Sequence, residues 1–144
     1  MSCPAFLVSS IACLLLAGCS APPEGEARVE VALPEQAMNI PAEGGLASAN
    51  LHSDDTMTVN LLRITAPVAM HRHLESEELV YVISGEGVLH LKGSDRPMTA
   101  GDMAVVPRNT PHGFDPTSTR PAVVFQVFVP RFVTGDRVFE AGPK

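Results

Sequence analysis

The 144-residue sequence contains no tryptophan, a single tyrosine and only three cysteines. No stretch of ten or more residues has a convincing helical period, and the 13 prolines and 11 glycines exclude a long helical bundle. Cations are also scarce: the 10 Lys and Arg are scattered, and the net charge is −6. Non-specific nucleic-acid binding needs a basic face, so that function is excluded. The hydrophobic content of 45% is too high for a disordered chain, and the length allows one domain.

Charge is absent from the first 23 residues, and every Lys, Arg, Asp and Glu lies at or after Glu24. Residues 5–17 form an apolar run of the length found in signal-peptide cores, too short to span a membrane comfortably. The run ends in Leu-Ala-Gly-Cys at residues 16–19, which resembles the lipobox of bacterial lipoprotein signal peptides. The resemblance implies that residues 1–18 are a signal peptide, that Cys19 is lipidated, and that the protein is anchored in the bacterial cell envelope. Because no Lys or Arg precedes the run, the alternative is an uncleaved anchor or a misassigned start of the sequence.

The cysteine count agrees with this interpretation. Cys3 and Cys13 would leave with the signal peptide and Cys19 would carry lipid, so a disulfide or a cysteine-based catalytic or zinc site is excluded from the mature chain. By the same resemblance, Ser20 favours the outer membrane in a host with two membranes. Residues 19–45 are rich in Pro, Gly and Glu and are predicted to be a flexible tether, within which residues 28–33 favour an edge strand.

Short apolar segments separated by turn signals fill the rest of the chain. Candidate strands are 57–65, 68–73, 78–84, 87–92, 96–99, 103–106, 112–115 and 121–129. A domain of roughly 100 residues buries one core, so these strands must share one interior and close on themselves to avoid exposed edges. We therefore predict an all-β domain, a sandwich or small barrel over residues 46–135, with a C-terminal tail at 136–144.

Three histidines and a glutamate form the candidate constellation. His71 and His73 are two residues apart, which on a strand places both imidazoles on one face, roughly 7 Å apart. Glu78 opens the next candidate strand and can fold back beside them, and His112 begins a later strand after a turn bracketed by prolines. Such a mixed nitrogen and oxygen set suits manganese, iron, cobalt, nickel, copper or zinc rather than calcium or magnesium.

The spacing of these residues resembles two sequence motifs of the cupin family. Residues 71–85 resemble the first motif, G-x5-H-x-H-x3,4-E-x6-G, and residues 101–112 resemble the second, G-x5-P-x-G-x2-H-x3-N. The resemblance covers about Met57 to Val129. It implies a single cupin β-barrel, or jelly roll, which commonly forms homodimers. It further implies one divalent transition metal, of identity unknown among Fe, Mn, Ni, Cu and Zn, held by His71, His73, Glu78 and His112.

The sequence departs from the two motifs at three positions. Thr65 stands where the first motif opens with glycine, and Pro116 replaces the terminal asparagine of the second. Asn109 replaces the glycine of the second motif, and asparagine is the next-best residue for a left-handed turn position, so the turn is expected to survive. None of these positions is a ligand position.

Other titratable residues near the motifs have alternative interpretations. Glu77 satisfies the shorter spacing of the first motif, but Glu78 satisfies the six-residue spacing to its closing glycine and is preferred. Glu75 and Glu77 are therefore expected to be solvated. His90 lies mid-strand with no role in the motifs, and His52 is expected on the surface.

Five residues are candidates for the pocket wall. Val80 and Val82 alternate with Glu78 and should share its inward face. Met103 and Phe114 are apolar candidates for which ordinary core packing is the alternative. Gln126 interrupts an apolar run, and because a buried amide needs partners, it is a candidate to reach the pocket.

Two classes of function fit these features. A metal held by three histidines and one glutamate can serve an enzyme such as a dioxygenase, an isomerase or a lyase. Alternatively, the domain is a non-catalytic module that binds or senses a small sugar or organic acid. The sequence reveals no further catalytic acid or base and does not choose between the two, since one fold supports many functions.

Overall fold

The computed structural model describes residues 27, 29–41 and 44–141. Residues 27, 29 and 30 are exposed and lie outside helices and strands, whereas the described residues from Val31 onward belong to one compact unit. That unit contains one helix, α1, at Leu33–Met38 and ten strands. The strands are β1 Leu46–Ser53, β2 Thr58–Ile64, β3 Val68–His73, β4 Glu77–Ser84, β5 Glu86–Leu91, β6 Ser94–Thr99, β7 Met103–Val106, β8 His112–Pro116, β9 Ala122–Val129 and β10 Arg137–Phe139.

The strands form two five-stranded antiparallel sheets. The first sheet has the order β1-β2-β9-β4-β7 and the second has the order β10-β3-β8-β5-β6. The chain alternates between the sheets rather than completing one before starting the other. This confirms the predicted all-β sandwich or barrel, and the eight strands expected over 57–129 are all present with small shifts at their ends.

The main core lies between the two sheets. The buried members are Leu62, Ile64, Val82, Leu89, Met98, Phe114, Ala122 and Val124. Alternation along each strand supplies them, because every second residue faces the interior. Burying one such side chain contributes roughly 1.5–3 kcal/mol, so this interior is the main source of stability.

A second, smaller cluster covers the outer face of the first sheet. Leu61 of β2 and Val123 of β9 point away from the interior and pack against Ala37 of α1. Strands β2 and β9 are therefore covered on both faces, which explains the nearly continuous apolar sequence of β9 and the adjacent Leu61 and Leu62 of β2. Pro34 and Glu35 in its first turn favour the start of α1, because proline needs no N–H there and an acid complements the helix dipole.

This helix corrects the predicted tether. Residues 33–38 are helical and Ala37 is fully buried, so the end of the expected 19–45 tether packs on the domain. The expected edge strand at 28–33 is wrong: residues 29–32 lie in neither strand nor helix, and Leu33 begins α1. Alternation of apolar and polar residues over a segment as short as 28–33 does not distinguish a strand from the start of a helix.

The predicted C-terminal tail at 136–144 is also wrong in its first part. Residues 137–139 form β10, which pairs with β3 through the register Arg137 to His73 and Phe139 to His71. Asp136 is buried directly before it. A three-residue strand carries too little alternation to be recognised in a sequence, and only its pairing with β3 defines it.

The left-handed turn expected at Asn109 is present, with φ of 62°. Its backbone N–H donates to the carbonyl of His73. The predicted signal peptide and Cys19 lie outside the described residues. Within the described part of the chain, no helix combines the length and apolar character needed to cross a membrane.

Candidate metal centre

Four buried side chains from both sheets meet between the layers. His71 and His73 lie on β3, His112 opens β8, and Glu78 extends from β4 of the opposite sheet. His71 and His112 are register partners, so their rings lie on the same side of the second sheet. One possible ligand atom from each of the four residues lies within 4.8 Å of all the others. The structure thus brings together all four residues that the sequence motifs singled out.

Each imidazole is held through its Nδ1 atom. His71 Nδ1 donates to the Ala69 carbonyl at 2.8 Å, and His112 Nδ1 donates to the Thr110 carbonyl at 2.9 Å. His73 Nδ1 donates to the carboxylate of Asp136 at 2.8 Å. Because the acceptors require a proton on Nδ1, a ring that carries a single proton presents the lone pair of Nε2 to the cluster.

The arrangement fits a metal ion. The Nε2 atom of His73 is buried and has no hydrogen-bond partner, although a buried polar atom normally has one. Metal bonds of about 2.0–2.2 Å place opposite ligand atoms roughly 4 Å apart, close to the spread of this cluster. Metal-ligating histidines typically donate a hydrogen bond from the ring nitrogen that does not bind the metal, as the Nδ1 atoms of these three rings do.

Glu78 is held ionised by the cluster. Its Oε2 lies 2.8 Å from His112 Nε2, which donates to it when that ring carries a second proton, and 3.4 Å from His73 Nε2. Burial raises the pKa of Glu78, but these interactions outweigh it and hold the pKa well below its usual range. The neighbouring imidazoles respond in opposite directions. Burial lowers the pKa of His71 to about 4, whereas for His112 the bond to Glu78 outweighs burial and raises the pKa.

A row of amides crosses the first sheet and ends on this carboxylate. Asn50, Asn60 and Gln126 are register neighbours on β1, β2 and β9. Asn50 Nδ2 donates to Asn60 Oδ1 at 3.1 Å, and Asn60 Nδ2 donates to Gln126 Oε1 at 3.1 Å. Gln126 Nε2 in turn donates to Glu78 Oε1 at 2.5 Å. The row fixes one oxygen of Glu78 and leaves the other facing the histidines.

Asp136 is a member of the site that sequence reasoning missed. Its Oδ2 accepts from His73, while its Oδ1 accepts from the backbone N–H groups of Glu75 and Ser76 at 2.6 and 3.3 Å. Burial raises the pKa of Asp136, but these donors outweigh it, so the group is ionised at neutral pH. No motif marked this residue, because it lies in the segment expected to be a tail and reaches His73 only through β10.

Two cavities that share four lining residues lie at the cluster and beside it. A narrow cavity of about 50 Å³ is lined by apolar core residues together with His71, Glu78 and His112. A wider cavity of about 360 Å³ is lined by hydroxyl, amide and aromatic side chains. Leu46, Leu62, Gln126 and Arg137 line both cavities. The volume of the wider cavity falls at the small end of the range typical of ligand pockets.

Four of the five candidate pocket residues line these cavities, namely Val80, Val82, Phe114 and Gln126. Met103 does not, and its prediction as a pocket wall is wrong. It opens β7 opposite Tyr81 with its side chain directed outward and is 59% exposed. The strand that contains Met103 was predicted correctly. The sequence could not show which face of that strand points inward, because Met103 and Val105 are as apolar as the inward residues.

The two remaining histidines lie away from the cluster. His52 is exposed and contacts Asp54 at 3.1 Å, as expected of a surface residue. His90 lies on β5 between Asp95 and Asp115, at 2.8 and 3.3 Å. Neither histidine lines the two cavities.

Comparison with known proteins agrees with the fold and the motifs. The family model described as "Cupin domain" matches residues 63–128, which contain all four clustered residues. Residues 63–128 form a cupin domain. A solved structure from Klebsiella pneumoniae, of an uncharacterized conserved protein with a double-stranded β-helix domain, superposes with a TM-score of 0.68. It is 21% identical, and the match covers 81% of this chain and 100% of that one, which shows likeness of fold.

Two curated proteins share sequence with this cupin domain. Acireductone dioxygenase of Gluconacetobacter diazotrophicus is 38% identical over 90 residues, which are 60% of this chain and 50% of that protein. Oxalate-binding protein of Thermotoga maritima is 36% identical over 50 residues, which are 35% of this chain and 41% of that protein. The chain therefore spans half the length, or less, of the curated relatives that it matches.

Proposed function

We propose that this cupin domain binds one divalent transition metal at His71, His73, Glu78 and His112 and uses it to act on a small molecule. The observation that carries the proposal is the buried Nε2 atom of His73, which makes no hydrogen bond although it faces a carboxylate and two further imidazoles. A buried polar atom without a partner is costly, and a metal bond would satisfy it.

The residues of the chain have distinct roles in this proposal. The three imidazoles and Glu78 would hold the ion, Asp136 would orient His73, and Gln126 would orient Glu78. A bound metal of this kind supplies Lewis-acid or redox chemistry. The 360 Å³ cavity would admit the small molecule, and the apolar lining of the narrower cavity would limit the access of water.

Binding without turnover is the second candidate function, and the composition of the cavities favours it. Apart from the clustered residues, Arg137 is the one ionisable residue among those that line the two cavities. An arginine is a poor proton donor or acceptor, so the described lining residues outside the cluster include no general acid or base. The names of the curated relatives, a dioxygenase and an oxalate-binding protein, support one candidate each.

The metal centre is tested by elemental mass spectrometry of the purified chain, the His73→Ala variant and the His52→Ala variant. We expect about one manganese, iron or other transition metal per chain in the parent and in His52→Ala, because His52 is exposed on β1 and is not among the clustered residues. We expect less than a tenth of that in His73→Ala, with the barrel still folded by circular dichroism. An equal metal content in His73→Ala would contradict the assignment.

Turnover and binding are then separated on the metal-loaded chain. An enzyme should consume dioxygen or form product with some small organic acid or sugar, whereas a binding module should show only thermal stabilisation that grows with ligand concentration. Stabilisation by a ligand that is recovered unchanged would favour the binding module.

The proposal includes an exported, lipid-anchored protein that forms homodimers. Export and anchoring rest on the lipobox-like residues 16–19 and are tested by palmitate labelling, which Cys19→Ser should abolish. Dimer formation is supported by exposed apolar residues on β4 and the edge strand β7, where Tyr81, Met103 and Val105 are 40%, 59% and 49% exposed. Light scattering of the purified chain tests it, and the mass of a monomer would contradict it.

A further inference from the structure

Arg137 is a cation at the junction of the two cavities. It opens β10 directly opposite His73 on β3, and cross-strand partners share one face of a sheet, so its side chain extends toward the cluster. It lines both cavities, and its guanidinium carbon lies 5.7 Å from the centre of the Phe132 ring. The aromatic face holds the guanidinium over the wider cavity.

This guanidinium has no anion among the described residues. Three arginines of the described chain are half-buried, namely Arg63, Arg72 and Arg137. Arg63 donates to the Ile40 carbonyl at 2.9 Å, and Arg72 pairs with Glu140 at 2.6 Å. Arg137 has neither kind of partner, and its Nε is buried without a hydrogen bond. A half-buried cation without an anion is costly, so its position in a cavity indicates a ligand that carries the opposite charge.

The nearby carboxylates form no salt bridge with Arg137, because other groups already bind them. Glu78 is engaged by His112 and Gln126, and Asp136 is engaged by His73 and two backbone N–H groups. The remaining polar groups that line the wider cavity are neutral hydroxyls and amides. They are Ser48, Asn50, Thr58, Asn60 and Gln126. The wider cavity therefore combines one unpaired positive charge with neutral hydrogen-bonding groups.

We propose that the ligand of this site is a small carboxylate and that Arg137 binds its carboxyl group beside the metal centre. The proposal rests on the proposed function, because it names the class of molecule that the same site takes. A guanidinium offers two parallel N–H donors that match a carboxylate. A phosphate group carries more charge and is usually met by several cations, whereas this cavity is lined by one.

Isothermal titration calorimetry with malonate, a small dicarboxylate, tests the proposal on the manganese-loaded chain. Malonamide has a similar shape without charge, and inorganic phosphate is the alternative anion. The variants are Arg137→Gln, which removes the charge, and Arg137→Lys, which keeps the charge and the stem but not the fork. Arg96→Gln is the matched control, because Arg96 is exposed on the edge strand β6 and lines neither cavity.

We expect the parent and Arg96→Gln to bind malonate more tightly than malonamide or phosphate. Arg137→Gln should weaken malonate binding about tenfold or more, as loss of a charge-assisted hydrogen bond does, and should lose the preference over malonamide. The affinity of Arg137→Lys for malonate should lie between the affinities of the parent and of Arg137→Gln. An intermediate affinity shows that the weaker binding by Arg137→Gln is not caused by poor folding of that variant. Malonate binding by Arg137→Gln within twofold of the parent, or tighter binding of phosphate or malonamide by the parent, would overturn the proposal. So would failure of the parent to bind malonate.

Metal content, measured before and after each titration, separates this proposal from the metal centre. A chain that takes up no metal contradicts the proposed function, and the same titrations on the metal-free chain then decide the carboxylate site. Metal retained by Arg137→Gln together with weakened malonate binding supports both.

Discussion

Replacing Asp136 by asparagine tests how a residue that orients a metal-ligating histidine controls the proposed metal centre. The Oδ1 atom of Asp136 accepts two backbone N–H groups, so the oxygen of the new amide must occupy that position. The amide nitrogen then faces His73 Nδ1, which sits 2.8 Å from Oδ2 in the parent. Two donors cannot share a hydrogen bond, so His73 must move its proton to Nε2, the atom that faces the cluster.

A proton on Nε2 removes the lone pair that a metal needs. Loss of such an outer partner typically lowers metal affinity 10–100-fold, or about 1.4–2.7 kcal/mol. The alternative, rotation of the amide, restores the bond to His73 but breaks the two bonds from the backbone of Glu75 and Ser76. Either response weakens the site while changing neither the size of the side chain nor the four ligand residues.

The assay is a competition between the protein and a fluorescent chelator for manganese at pH 7.5, with thermal unfolding of the metal-free proteins as a check of folding. Asp102→Asn is the matched control, because Asp102 also accepts a backbone N–H, that of Thr99 at 2.8 Å, but lies in an exposed turn without a histidine. Manganese affinity of Asp136→Asn within twofold of the parent would refute the reasoning. An equal loss in Asp102→Asn would also refute it.

Two further predictions concern the stability of the barrel. Asp95, and to a smaller extent Asp115, raises the pKa of His90. The contribution of the charged His90 to folding stability should therefore be complete below about pH 6.5 and lost as the pH rises through the raised pKa. Urea unfolding at pH 5.5 should show His90→Gln less stable than the parent by under about 1 kcal/mol, because the ion pairs of His90 are partly exposed. At pH 9 the two proteins should be equally stable. The same difference in stability at both pH values would contradict this prediction. A Cβ atom on Gly87 would lie 2.2 Å from the Phe114 ring, so Gly87→Ala should lower the free energy of unfolding by about 1–3 kcal/mol, and an unchanged urea midpoint would contradict the close approach.

The strands of the barrel were predictable because their signal is local. A strand with one buried face alternates every second residue, and turns between short strands require Gly, Pro, Asn or Asp. The expected strand at 103–106 has the bounds of β7, and the expected 57–65 contains β2 at Thr58–Ile64. The same two-residue period placed His71 and His73 on one face, and the asparagine expected to replace a turn glycine adopts a positive φ.

The sequence did not predict β1 or β10, although each forms one edge of its sheet. Strand β1 reads LASANLHS, where small and polar residues hide the alternation, and a bulge near Asn50 and His52 breaks its register. Strand β10 is three residues long. Short or irregular strands owe their existence to their partners rather than to their own propensity.

The sequence by itself determined the fold class and the positions of most strands along the chain, because each depends on local periodicity. Its resemblance to the two cupin motifs implied the four residues that meet in the centre. Only the tertiary structure decided which side chains support them. Asp136 lies 63 positions from His73, and Gln126 lies 48 positions from Glu78, yet each pair is hydrogen-bonded. Arg137 enters the cavity only because β10 adds to the edge of the second sheet. Such contacts depend on strand pairing between distant segments, and no local pattern of residues encodes which segments will pair.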